Sequence, residues 1–282
     1  MSTPVPDLFA RLVDDAAVYP PGSAPLHEAV KDHRRHRSAW YARLVGPLLV
    51  PASSAASLTE LLRGGDDLVV GLVADTGIDG LRAALDQAPP AVRHVEIAVA
   101  KRGEDPLPGL AALLALVRER PGLPGYAEVP LTFGLLAALD ALAEARAGGL
   151  AVSAKFRTGG LAAELFPTPI ELAAVVCACR DRGLPFKLTA GLHHAIRHTD
   201  PETGFVHHGF LNVLVATAQA VQGGEVADVG ATLAGTDPVP LIEATRRLLV
   251  EQRPLWIGFG SCSVREPVED LARLGLLPDP AQ

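Results

Sequence analysis

The sequence predicts an α/β fold, a (β/α)8 barrel of the TIM type, on three observations. Short apolar runs recur along the 282 residues and each is followed by a helical pattern, the order expected of βα units around a parallel sheet. The length suits one such barrel. No linker, low-complexity tract or internal repeat divides the chain, so residues 1–282 are assigned to a single domain.

In chain order, the turn YPPGSAP (19–25) leads into a helical stretch from His27 to Leu44, placed as an extra helix ahead of the barrel. Strands then fall at GPLLVPA (46–52), DLVVGLVAD (67–75), RHVEIAVA (93–100), PGYAEVP (124–130), LAVSAKFR (150–157), PFKLTA (185–190) and LWIGFG (255–260). Helices are expected at 56–63, 78–87, 107–119, 133–147, 169–182, 208–222, 240–252 and 265–275. About 65 residues separate the last two strands, room for two helices and a further strand. A weak or irregular seventh strand is therefore expected there, with VADVGATL (226–233) and PVPLI (238–242) as its candidates.

Composition excludes several classes. A net charge of -7 and a pI near 5.7 argue against a nucleic-acid partner, which needs a concentrated basic surface. The one basic cluster, HRRHR at 33–37, reads as a solvated helix face. Cys177, Cys179 and Cys262 give neither a zinc spacing nor a disulfide framework, which fits a reducing cytoplasm. MSTPVPDLFARLVDD lacks the regions of a secretory signal, and no apolar run reaches the ~18 residues of a membrane span. The expectation is a cytoplasmic protein with a small-molecule substrate and no nucleic-acid or membrane partner, a homo-oligomer being left open.

Only Lys31, Lys101, Lys155 and Lys187 among the 25 basic residues are lysines, and the last two sit inside apolar runs. Unlike arginine, a desolvated lysine can lose its proton and attack a carbonyl. Two-residue alternation turns Val152, Ala154, Phe156, Phe186 and Leu188 outward, and Ser153, Lys155, Arg157, Lys187 and Thr189 into the barrel. Glu96 and Glu128 share inward parity with His94 and Tyr126. Two neighbouring ammonium groups repel, so one amine is expected to be neutral and to form a Schiff base. The other reading is a salt-bridged pair of lysines satisfying Glu96 and Glu128.

AKFRTGG at 154–160 and FKLTAGLHH at 186–194, with YAEVP at 126–130, resemble the deoxyribose-phosphate aldolase family. That family carries a Schiff-base lysine in a Lys-x-x-Thr-Gly strand end and a second lysine on the next strand. The resemblance, over about a quarter of the chain, implies Lys155 as the imine-forming residue and Lys187 as the neighbour that lowers its pKa. The sequence departs from the family twice: the lysines fall one strand earlier, and the acidic proton relay has no counterpart at a matching position. The whole sequence, with GSCSVREPVEDLARLGLL at its end, is similar to an uncharacterised bacterial family of TIM barrels.

Around these lysines, Arg157 suits a carboxylate or phosphate clamp, or an ion pair with a nearby carboxylate. TGG at 158–160 suits close approach of backbone to a ligand. His193, His194, His198, His207 and His208 fall within sixteen residues, suited to proton transfer, to a metal site with Glu96 or Glu128, or to loop bonding. HTDPETG at 198–204 reads as a turn able to form a lid. GFGSCSVREP at 258–267 reads as an anion site at a helix start or as a capping box of Ser263 with Glu266. Cys262 lacks an evident paired base and reads as a packed thiol.

These readings converge on a class I aldolase-like lyase acting on a small, optionally phosphorylated carbonyl compound, without a cofactor. Lys155, Lys187, Glu128, His193 and His194 are its candidate catalytic residues. Glu96, Arg157, Thr189, Gly260, Ser261 and Ser263 are its candidate substrate contacts. One alternative is a metal-dependent hydrolase, lyase or isomerase holding a divalent metal such as zinc on His193, His194, His198, His207 and His208 with Glu96 or Glu128. The other is a non-catalytic metabolite-binding barrel.

Overall fold

The computed structural model describes residues 5–62 and 68–278. The strands are β1 (Val13–Asp15), β2 (Val45–Pro51), β3 (Val70–Val73), β4 (Val92–Ala98), β5 (Gly125–Glu128), β6 (Val152–Arg157), β7 (Phe186–Thr189), β8 (His198–Thr199), β9 (Val206–His207) and β10 (Trp256–Ser261). The main helices are α1 (Leu26–Ser38), α2 (Ala55–Leu61), α3 (Gly77–Gln87), α4 (Leu107–Glu119), α5 (Leu135–Ala147), α6 (Pro169–Asp181), α7 (Phe210–Val221), α8 (Val226–Ala234), α9 (Pro238–Leu248) and α10 (Arg265–Arg273). β1 to β7 and β10 close into an all-parallel barrel of eight strands, while β8 and β9 pair as a small antiparallel hairpin in the loop after β7. The (β/α)8 fold is thus as expected. Asp67 at the start of one expected strand and Arg63 at the end of one expected helix lie outside the described residues.

The weak seventh strand expected between the last two apolar runs is not there. Residues 226–233 form α8, whose buried Val229, Gly230 and Leu233 follow helical spacing and pack against α6 and α7. Residues 238–242 open α9, with Pro238 in the first turn and the Asp237 side chain accepting the Val239 N–H at 3.0 Å. The missing strand is β1, which pairs with β2 on one side and places Val13, Asp14 and Asp15 opposite Phe259, Gly260 and Ser261 of β10 on the other. It offers three residues, two of them acidic, and so presents no apolar run to read. The helix taken as an extra one is α1, the partner of β1 in an ordinary βα unit.

Arg253 ties this short strand down from below. Its guanidinium donates to the carbonyls of Leu8 and Ala10, which lead into β1, and to those of Trp256 and Ile257 in β10. Outside the barrel, Val152, Ala154, Phe156, Phe186 and Leu188 are all buried, as their parity requires. Inside, two glycines make room for polar neighbours. A Cβ on Gly46 would lie 1.8 Å from Asp14 Oδ1, and one on Gly71 would lie 2.1 Å from His94 Nε2. Among the described residues no helix is long and apolar enough to cross a membrane.

Candidate active site

Lys155 and Lys187 lie opposite each other on adjacent strands, and both turn into the barrel. Lys187 reaches Asp14 on β1 and Glu96 on β4, which is possible only through the interior. Lys155 Nζ lies 2.8 Å from Glu96 Oε2 and 2.9 Å from Glu128 Oε2. The contact with Glu96 Oε2 is an ion pair off the axis of a hydrogen bond, so that oxygen has no directed donor. Glu96 Oε1 takes Lys187 and, at 3.1 Å, His94 Nε2. Arg157 Nε donates to Glu128 Oε1 at 3.0 Å, so the reading of Arg157 as half of an ion pair describes the resting site. The Tyr126 ring lies under Lys187, 5.3 Å from its ammonium, and edge-on to His94.

Three carboxylates therefore face three cations in an interior where Glu96, Lys155 and Lys187 are almost fully shielded from solvent. This balance decides the protonation states. Burial works against the Lys155 ammonium, but Glu128 and Glu96 outweigh it and raise its pKa above the ordinary lysine value. For Lys187, burial is likewise overcome by Asp14 and Glu96. Burial would raise the Glu96 carboxyl, yet Lys155, Lys187 and His94 hold it well below the usual range. Burial also opposes ionisation of Glu128, and Lys155 with Arg157 lowers it. The expectation of a neutral amine at rest is corrected here. Lys187 does push Lys155 downward, but the carboxylates are nearer and more numerous.

Above this cluster, at the carboxyl ends of β4, β5 and β6, lies a cavity of about 330 Å³. Glu128 and Arg157 line it together with Lys101, Arg102, Glu164 and Glu171. Three cations and three carboxylates line this mouth, and Arg157 is already paired with Glu128, so Lys101 and Arg102 are the groups placed to meet an anionic end of a small molecule. The sequence reading missed two groups near this end. Asp14 sits on the unrecognised strand. The Tyr19 hydroxyl, in the loop after β1, is buried without a hydrogen-bond partner; burial first, then the Glu96 and Asp75 charges, keep it protonated.

The rings of His194, His198 and His207 pack against one another, but the five histidines do not converge on one site. His193 turns to α10, its Nδ1 lying 2.8 Å from Glu266 Oε2, and His194 Nδ1 lies 3.4 Å from Asp270 Oδ2 on the same helix. His198 stacks on His207, and each ties its Nδ1 to a main-chain carbonyl, of Ile196 and Gly191 respectively. His208 is buried beside the Pro167 carbonyl at 2.8 Å. Among the described residues no group of three or more His, Cys, Asp or Glu side chains is placed to hold a metal ion.

The loops after β6 and β7 pack on each other. A Cβ on Gly159 would lie 2.8 Å from Gly191 Cα, so these glycines serve loop-to-loop contact, where the sequence suggested ligand approach. Thr189 lies beside Gly260 at the inner rim. Ser261 Oγ accepts the Ser263 N–H and Ser263 Oγ accepts the Glu266 N–H, each at 3.3 Å. Half a capping box is therefore present, the Glu266 carboxylate having turned to His193.

Fold and site together define a (β/α)8 barrel with a charge-balanced polar centre beneath a mouth lined by charges of both signs. No protein-family model matches the chain, and no curated protein matches it.

Proposed function

We propose that this chain is a class I aldolase-like lyase, forming a Schiff base between Lys155 and a small anionic carbonyl compound. The observation that carries this reading is the position of Lys155 Nζ between Glu96 and Glu128, the second of which borders the cavity. An anionic substrate that draws Arg157 away from Glu128 raises that carboxyl and lets Lys155 pass it a proton, against their resting order, and the neutral amine adds to the carbonyl carbon. After the nitrogen proton moves to oxygen, the carbinolamine loses water with the proton held by Glu128 and leaves a protonated imine. That imine withdraws electrons from an adjacent carbon–carbon bond. Tyr19 is the buried donor for the oxygen, and Arg157, Arg102 and Lys101 hold the anionic end.

Counting β1 moves the lysines to the sixth and seventh strands of the barrel, which removes the one-strand departure from the aldolase resemblance. Asp14 and Glu96 supply carboxylates where the linear comparison found no acidic relay. Borohydride reduction of the protein with a panel of aldehydes and ketones tests the proposal. A stable adduct on Lys155, absent in Lys155→Met, is expected. Because the proton moves within the Lys155–Glu128 pair, trapping should be nearly flat across neutral pH. No adduct with any panel member sinks the reading.

A further inference from the structure

A second reactive arrangement lies across the rim, in the loop after β10. Cys262 Sγ is 3.9 Å from His193 Nε2, and His193 Nδ1 is 2.8 Å from Glu266 Oε2. The carboxylate can only accept, so Nδ1 carries the ring proton and Nε2 turns its lone pair to the thiol. Burial raises the Cys262 thiol, which therefore needs a base to react, while the Gly22 main-chain N–H opposes that effect by stabilising the thiolate. Nucleophile, base and orienting carboxylate thus come together from two loops and one helix, the geometry expected of an assisted thiol.

Cys262 is partly exposed. It borders a cavity of about 400 Å³ whose walls include Arg35, Arg265, His36, Tyr41 and Asp15. Arg35 is paired with Asp32 at 2.6 Å; Arg265 is the second guanidinium at this wall. Asp15 and Asp32 share this wall and Asp32 holds Arg35, so Arg265 is the guanidinium placed to take an anionic reagent. The other cysteines differ: Cys177 and Cys179 are buried on α6, and burial pushes Cys179 up to about 12.

We propose that Cys262 is a modification site, a His193-assisted thiol that exchanges with a low-molecular-weight disulfide bearing a carboxylate held by Arg265. In the step, the Cys262 proton passes to His193 Nε2 as Sγ bonds to one sulfur of the disulfide. The reagent's sulfur–sulfur bond breaks, and the departing thiolate takes the proton from His193. Cys262 is oxidised to a mixed disulfide and half of the reagent is reduced to a thiol.

Labelling of the intact protein with dithiobis(nitrobenzoate), which carries carboxylates, and with uncharged dithiodipyridine tests this, with peptide mapping to locate the product. Cys262 should react at least about tenfold faster than Cys177 or Cys179. His193→Ala should slow it by about tenfold or more, as loss of a general base does, with added imidazole restoring the rate. Glu266→Gln, at a half-exposed position, should slow Cys262 less while leaving Cys177 and Cys179 protected, which general loosening of the fold would not. Arg265→Gln should slow the anionic reagent and spare the neutral one. Equal labelling of all three cysteines, an unchanged rate in His193→Ala, a slow variant that imidazole does not rescue, or an Arg265→Gln effect shared by both reagents overturns the proposal.

Discussion

The barrel interior and the loop after β7 are equally rich in ionisable side chains, yet they are organised in opposite ways. In the interior, Asp14, Glu96, Glu128, Lys155 and Lys187 come from five different strands and meet within hydrogen-bond distance. In the loop, five histidines within sixteen residues bind partners of their own: Glu266, Asp270, Pro167 and local carbonyls. The difference lies in the backbone. Strand register repeats every two residues and aims alternate side chains at one axis, whereas closeness along a loop imposes no common direction. Density of reactive residues in a sequence therefore points to a shared site far better on strands than in loops.

The largest effect expected from breaking this contrast comes from Lys187. Lys187→Met leaves Asp14 and Glu96 facing each other without the cation between them, an uncompensated buried charge worth about 3–5 kcal/mol of stability. Urea unfolding measures it, and adding Asp14→Asn should recover part of the loss. A loss as small as that of a surface substitution would mean that the cluster is not electrostatically closed.

Acid should separate the two regions next. Burial holds His208 down to about 4 from 6.5, with the Pro167 carbonyl only partly offsetting it. Between those values the unfolded chain binds a proton that the folded chain does not, so stability falls as pH drops through this window. The slope is up to about 1.4 kcal/mol per pH unit for this one group. Glu96 and Glu128 have lowered values, so their contribution is complete above the ordinary carboxylate range and lost only below it. The first loss on acidification thus belongs to the loop. Unfolding at a series of pH values should show that slope, and His208→Gln should flatten it; an unchanged slope would assign it elsewhere.

What could be read from the sequence follows the same division. Parity alone put Lys155, Lys187, Glu96 and Glu128 inside the barrel, and all four meet there, because a wrong register would have exposed Phe156, Phe186 and Leu188. β1 was invisible because a strand of Val-Asp-Asp has no apolar run, and its Asp14 went with it. That omission also reversed the expected charge state of the amines. With Asp14 unplaced, repulsion between the two amines was weighed above the salt-bridged alternative that Glu96 and Glu128 offered, whereas Asp14, Glu96 and Glu128 together surround the lysines. The histidine partners were beyond reach for another reason: Glu266 and Asp270 lie over sixty residues away on α10, and nothing in the loop's own sequence selects them.

The smallest effect should come from within the loop, at His198. It is partly exposed, stacked on His207, and bonded only to the Ile196 carbonyl. Replacing it with glutamine removes two ring contacts, with His194 and His207, and keeps a group able to bond that carbonyl, so the cost should be about 1 kcal/mol. Borohydride trapping at Lys155 should keep its rate in His198→Gln, because the imidazole belongs to a set of local contacts separate from the Glu96–Lys155–Glu128 centre. A tenfold fall in trapping with stability preserved would join the two regions into one site and undo the contrast between strand-borne and loop-borne groups.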